Sequence, residues 1–211
     1  MKHINKSSEP HEFASWKALH PDATFKGLKH ERDFPGAVNA RHALRLALLA
    51  EQKGLCCYCE RLINNGDFHI EHFRPKGQSE FAHLQLDYSN LLASCQRNRT
   101  GSSDESCGHK KEDVFSADLV SPLEEDCASH FSFDMAGHIS GADARGSESV
   151  RILNLNSALL NRSRKALIEY FEELTDEEYP AEVARHLDPT APQAGEYFSM
   201  IAFLHGKGWL H

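Results

Sequence analysis

Three of the six cysteines fall within four residues, Cys56-Cys57-Tyr58-Cys59, and a Glu71-His72 pair follows closely. Cys56 and Cys59 form a CxxC, and Cys95 and Cys107 supply a second pair with eleven residues between them. Zinc takes four tetrahedral thiolate or imidazole ligands, and a CxxC turn delivers two of them at once. The two pairs bracket a short stretch of chain, which is where a structural zinc would staple a small core. Cys56, Cys59, Cys95 and Cys107 are therefore read as zinc ligands. Cys57 and Cys127 are read as buried thiols. The CxxC ends a helical pattern rather than following a strand, which argues against a thioredoxin-like redox role.

The second chemistry lies in Glu71, His72, Asn90 and His109. Hydrolysis of a phosphodiester needs a base to activate water and a divalent ion to balance developing charge. Histidine suits the base, since its ordinary pKa of about 6.5 leaves it largely neutral at pH 7. A carboxylate suits a hard ion such as Mg²⁺. His69, two residues before Glu71 and so on the same strand face, is an alternative ligand.

Charge is unevenly spread. The net charge is -8, yet residues 1–60 carry 9 basic and 7 acidic side chains, and residues 61–111 carry 7 and 6. Residues 112–211 carry 7 and 18, so the acidity is concentrated in the last hundred residues. Around the motif stand Arg74, Lys76, Arg97, Arg99, Lys110 and Lys111. They can meet nucleic-acid phosphates locally, without a strong long-range field to draw a polyanion in. No apolar run approaches the roughly 20 residues of a membrane span, and the first residues lack a secretory h-region. With closely spaced thiols, this places the chain in a reducing cytoplasm.

These residues need elements to position them. EFASWKALH, up to Pro21, and VNARHALRLALLAEQK, up to Gly54, read as helices. CERLI and DFHIEH read as strands of a hairpin about Asn64-Asn65-Gly66. LDYSNLLASCQRN reads as a helix with Leu86, Leu91 and Leu92 facing a core, so that 59–98 forms a ββα unit. FSFDMAGHIS reads as a second hairpin about Gly137. NSALLNRSRKALIEYFEEL has apolar residues at helical spacing, Thr175 to Glu178 has a capping-box pattern, and GEYFSMIAFLHG closes the series. The expected class is α+β, mostly helical, with a ββα-metal core stapled by zinc and surrounded by helices. The expected divisions are a helical segment over 1–54, the core over 55–115, and a hairpin and helices over 116–211, all in one compact unit.

CYCE, HIEHFRPK, DYSNLLASC and CGHKK together resemble the zinc-knuckle branch of the HNH (His-Me finger) nucleases. LLAEQKGLCCYCERLI and VRILNLNSALLNRSRKAL sharpen this to a resemblance to the HNH subunit of Septu-type anti-phage systems, the PtuB family, also found with retrons. The resemblance covers most of the chain and is weakest over 181–211. It implies a metal-dependent endonuclease that hydrolyses DNA, using structural Zn²⁺ and catalytic Mg²⁺ or Mn²⁺. It implies an ABC/OLD-like ATPase subunit as partner and, where a retron is involved, a reverse transcriptase and its RNA–DNA product. His72 matches the general base, Glu71 a metal ligand, and Asn90 the residue that fixes the loop orienting His72. His109 matches the last metal ligand. The family commonly places that ligand directly after the final cysteine, whereas Gly108 intervenes here, which leaves Asn98 as an alternative. Arg74, Lys76, Lys110 and Lys111 match phosphate contacts. Two rival readings remain at this level: an RNA- or tRNA-cleaving effector, and a zinc-stabilised binding module without catalysis.

Overall fold

The computed structural model describes residues 1–96, 98, 99, 101, 102 and 104–210. Arg97, counted above among the cations near the motif, lies outside them. Helices α1 (His11–Leu19) and α2 (Ala37–Glu51) open the fold. α2 buries Ala37, Ala40, Leu44 and Leu48, a stripe at helical spacing that drives it against the core. Its start at Gly36 has no side-chain cap from the helix itself; the Glu31 carboxylate accepts from Gly36 N and Val38 N, both at 2.7 Å. Lys53 and Gly54, with φ of 53° and 74°, then turn the chain out of the helix.

Strand β1 (Phe68–His72) pairs antiparallel with β2 (Leu91–Cys95), Phe68 opposite Cys95 and His72 opposite Leu91. The helix expected over 86–98 is thus a three-residue 3-10 turn, Tyr88–Asn90, followed by a strand. All five residues of β2 are buried, and a short apolar run buried on both faces reads alike as helix or strand. Tertiary contacts decide it. Ala93 is held on one side by β1 and on the other by the Gln52 amide, which accepts from Ala93 N at 2.7 Å and donates to Ala93 O at 2.8 Å.

CERLI is likewise not the partner of β1. It belongs to a tight knuckle closed by a bridge between Leu55 and Leu62, with Cys56 N donating to Arg61 O and Glu60 at φ 63°. Short apolar runs separated by a turn signal carry no information about which strand pairs with which. α3 (Cys107–Lys111) follows β2 after a loop.

The second sheet matches its expectation, β3 (Phe131–Phe133) on β4 (Ile139–Gly141), with Gly137 at φ 83° in the turn. Helices α4 (Ala144–Leu153), α5 (Ala158–Glu172), α6 (Tyr179–His186) and α7 (Phe198–Gly206) complete the chain. The Thr175 and Glu178 side chains exchange hydrogen bonds with each other's backbone amides ahead of α6, as a capping box requires. One apolar cluster runs from Met1 through α2, β2 and α5 to Leu210, which makes this an α+β fold dominated by helices. Among the described residues, no helix is long and apolar enough to cross a membrane.

Candidate metal and catalytic site

The knuckle, the end of β2 and the start of α3 bring Cys56, Cys59, Cys95 and Cys107 together, one sulfur from each lying within 4.8 Å of the others. All are free thiols. Cys59 and Cys95 sulfurs are 3.7 Å apart, and Cys56 Sγ accepts from Cys95 N at 3.2 Å. Burial acts to raise the Cys56 thiol, but hydrogen bonds from its cysteine neighbours hold it well below the ordinary value, whereas the Cys95 and Cys107 thiols are pushed up, Cys107 chiefly by burial. A four-thiolate set of this spacing fits zinc. Cys57 and Cys127 lie outside this set, Cys127 donating to Met1 O at 3.3 Å, and burial, then its neighbour Cys56, pushes the Cys57 thiol up.

β1 carries His69, Glu71 and His72 into one cavity of about 620 Å³, which Lys76, Gly108 and His109 also line. His72 is buried, with Phe25 edge-on at 4.5 Å. Its Nε2 lies 3.0 Å from Gln85 O. A carbonyl only accepts, so Nε2 carries the proton and Nδ1 of the neutral ring holds the lone pair. Burial, then the charge of Lys76, pull His72 down to about 4, which keeps it neutral at pH 7.

Asn90 fastens the loop that supplies this acceptor. Its Oδ1 accepts from Arg74 N at 2.8 Å, while Nδ2 donates to Arg74 O at 3.0 Å and to Leu84 O at 3.2 Å. Both ends of the 74–84 loop are therefore tied to one side chain, next to Gln85.

Glu71 is buried between three partners. Oε1 accepts from Lys111 Nζ at 2.9 Å and from Tyr58 OH at 3.2 Å, and Oε2 lies 3.4 Å from His69 Nε2. Burial alone would raise its pKa; His69 and Lys111 outweigh it and hold the carboxyl below the ordinary range. His69 Nδ1 donates to Gln96 O at 2.9 Å, which turns Nε2 toward Glu71. His109 Nε2 donates to the same oxygen at 2.8 Å, and its ring lies 4.1 Å from that of His69. The imidazole partner of the Glu71 carboxylate is thus His69, with His109 behind it. Asn98 borders a neighbouring groove beside His69.

Lys111 does not stand as a phosphate contact. It is 0 % exposed, its ammonium spent on Glu71, on His72 O at 3.0 Å and on Glu112 O at 3.3 Å. A charge that deep is tolerated because three acceptors meet its three protons. Arg74, Lys76 and Lys110 are exposed, and Lys76 also borders the second groove. Sequence reasoning missed the parts played by Tyr58, Gln85 and Gln96, none of which carries a local signal.

No family model matches the chain. Curated relatives do. A Vibrio cholerae protein named as a candidate HNH endonuclease of retron Vc95 is 32% identical over 146 residues, which is 65% of this chain and 67% of that protein. A similarly named Escherichia coli protein of retron Ec83 is 32% identical over 100 residues, 45% of this chain and 37% of that one. The Septu protein PtuB of Bacillus thuringiensis is 31% identical over 118 residues, 54% of this chain and 41% of that one. The match spans two thirds of the first relative and well under half the length of the other two. Identity of this order, held over two thirds of the Vibrio protein, places the chain: it belongs to the HNH endonuclease family of retron and Septu defence systems.

Proposed function

We propose that the chain hydrolyses DNA phosphodiesters as the nuclease of an anti-phage complex, with the β1–β2 pair and α3 as its ββα-metal core. The observation that carries this reading is the fixed tautomer of His72. With Nε2 bound to Gln85 O, Nδ1 is left to take a proton from water, which attacks phosphorus in line with the departing 3′-oxygen. The products are a 5′-phosphate and a 3′-hydroxyl. Asn90 keeps the acceptor loop, and hence the His72 ring, in place.

Glu71 Oε2 and His69 Nε2, facing one another across 3.4 Å at the cavity wall, form a donor set that fits a divalent ion, with His109 the nearest reserve. Mg²⁺ or Mn²⁺ bound there would balance charge on the phosphate and the leaving oxygen. The four thiolates would hold Zn²⁺ and fasten β2 and α3 to the knuckle. A groove of about 1490 Å³ adjoins the cavity through His69, Ile70 and Lys76. Its lining includes Lys29, Arg41, His42 and Arg45 and, among the described residues, no carboxylate, which favours a phosphate backbone as its occupant.

The names of the relatives favour retron or Septu components as partners, the family resemblance adds an ABC/OLD-like ATPase, and the acidic residues 112–211 offer a face for them. The expected division into 1–54, 55–115 and 116–211, within one unit, belongs to the same reading.

The test is plasmid nicking by the purified protein together with its ATPase partner, with Mg²⁺ and with EDTA. His72→Ala should reduce the rate on the order of 10²–10⁴-fold, the usual contribution of a general base, with the thermal midpoint kept. Unchanged nicking by that variant would end the assignment of His72. Cleavage of RNA alone would end that of DNA.

A further inference from the structure

Away from the cavity, His130 is 8 % exposed, at the end of a 3-10 turn, Cys127–His130, that leads into β3. Its Nδ1 lies 2.6 Å from Asp143 Oδ2. A carboxylate accepts, so Nδ1 carries the proton and Nε2 of the neutral ring holds a lone pair. That Nε2 is buried and has no hydrogen-bond partner among the described residues. Beside the ring stand Glu124 and Asp126, and one ring nitrogen of His130 and one oxygen from each carboxylate lie within 4.8 Å of one another.

We propose that His130, Glu124 and Asp126 form a further divalent-cation site, of the Zn²⁺ class, separate from the four thiolates and from Glu71. Nε2 is the ring nitrogen left to ligate, and Asp143 orients it as carboxylates orient metal-bound histidines. One imidazole with two carboxylates is a donor set suited to Zn²⁺ and its neighbours, with water completing the shell. Charge points the same way. Glu124, Asp126 and Asp143 bring three negative charges around the imidazole, and Arg145, at 2.8 Å from both Glu124 oxygens, supplies one positive. Glu124 Oε1 also accepts from Ser121 N at 3.0 Å, so Oε2 is the oxygen whose second lone pair can serve a cation alongside Arg145.

Ligand distances of about 2.0–2.2 Å require the three atoms to close in. Asp126 is exposed and its side chain caps nothing in the turn, so it is free to swing. Asp143 is the N-cap of α4, its side chain accepting from Gly146 N. A cation on His130 therefore fastens the turn before β3 to the start of α4, a structural role that does not depend on the nuclease reading.

The experiment is a calorimetric Zn²⁺ titration of the folded protein, with the four-thiolate site filled beforehand and Glu71→Gln as background. One further equivalent is expected. His130→Gln should weaken it at least tenfold, and Asp126→Asn should do so without any demand on folding. His138→Gln, at an exposed histidine paired with Asp134, should leave it unchanged. Absence of the extra equivalent overturns the proposal. So does unchanged affinity in Asp126→Asn, or an equal loss in His138→Gln, which would mark scattered surface histidines.

Discussion

A β-carbon at position 108 would stand 2.5 Å from Glu71 Oε2 and 2.5 Å from His69 Nε2, closer than packed atoms approach. Position 108 directly follows the last cysteine, where the resemblance to other zinc-knuckle nucleases puts a metal ligand. Here the space is filled from β1, by the imidazole of His69. Gly108→Ala would raise helix propensity in α3 and so, from propensity alone, would stabilise. The crowding should win: an overpacking cost of about 1–3 kcal/mol in chemical denaturation, with a weakened Mn²⁺ titration because Glu71 and His69 are pushed apart. An Ala variant as stable as wild type, with unchanged Mn²⁺ affinity, would remove both the crowding and the cation seat. His69 was legible only through strand alternation, two positions from Glu71. Order along the chain pointed instead to His109, whose Nε2 is taken by Gln96 O.

Among the elements, α2 has its start held by a residue five positions ahead of its flanking Gly36. Glu31 reaches back to the amides of Gly36 and Val38, and these bonds, Val38 first, hold its carboxyl below the ordinary range. A depressed folded-state pKa means a stabilising contribution present above the unfolded value of about 4.3 and lost as pH falls through the folded one. The thermal midpoint of Glu31→Gln should therefore lie below that of wild type at pH 7, and the gap should close toward pH 3. A gap that persists at pH 3 would assign the effect to packing rather than to the carboxylate. α2 itself was legible, since Ala and Leu recur at helical spacing and Gly54 marks its end. The same holds for α5, for the capping box before α6 and for the hairpin about Gly137. The pairing of β1 was not. Its partner lies beyond a long loop, and nothing local in LLASC distinguishes a strand flanked by Gln52 from a turn of helix.

For the molecule as a whole, the four-cysteine cluster joins three stretches of chain, the knuckle, β2 and α3, in addition to the bonds from Cys57 N to Ala93 O and from Gly108 N to Ser94 Oγ, both at 3.0 Å. Ligand loss should then cost folding as well as metal. Cys59→Ser is expected to lose bound zinc by elemental analysis and to lower the thermal midpoint, with chelator-treated wild type approaching the same state. Zinc content and midpoint equal to wild type would show that the fold closes without the cluster. The β1–β2 pair has one more property at this scale. The Gln52 amide covers β2 at Ala93, while Arg45 Nη1 and Lys111 Nζ cover the carbonyls of Phe68 and His72 on β1. Side chains thus occupy backbone groups that a two-stranded ribbon would otherwise offer to a visiting peptide. A strand from another chain has little ribbon edge to extend, so recognition of this protein would fall to its contoured surface, leaving the small sheet the same size in any assembly.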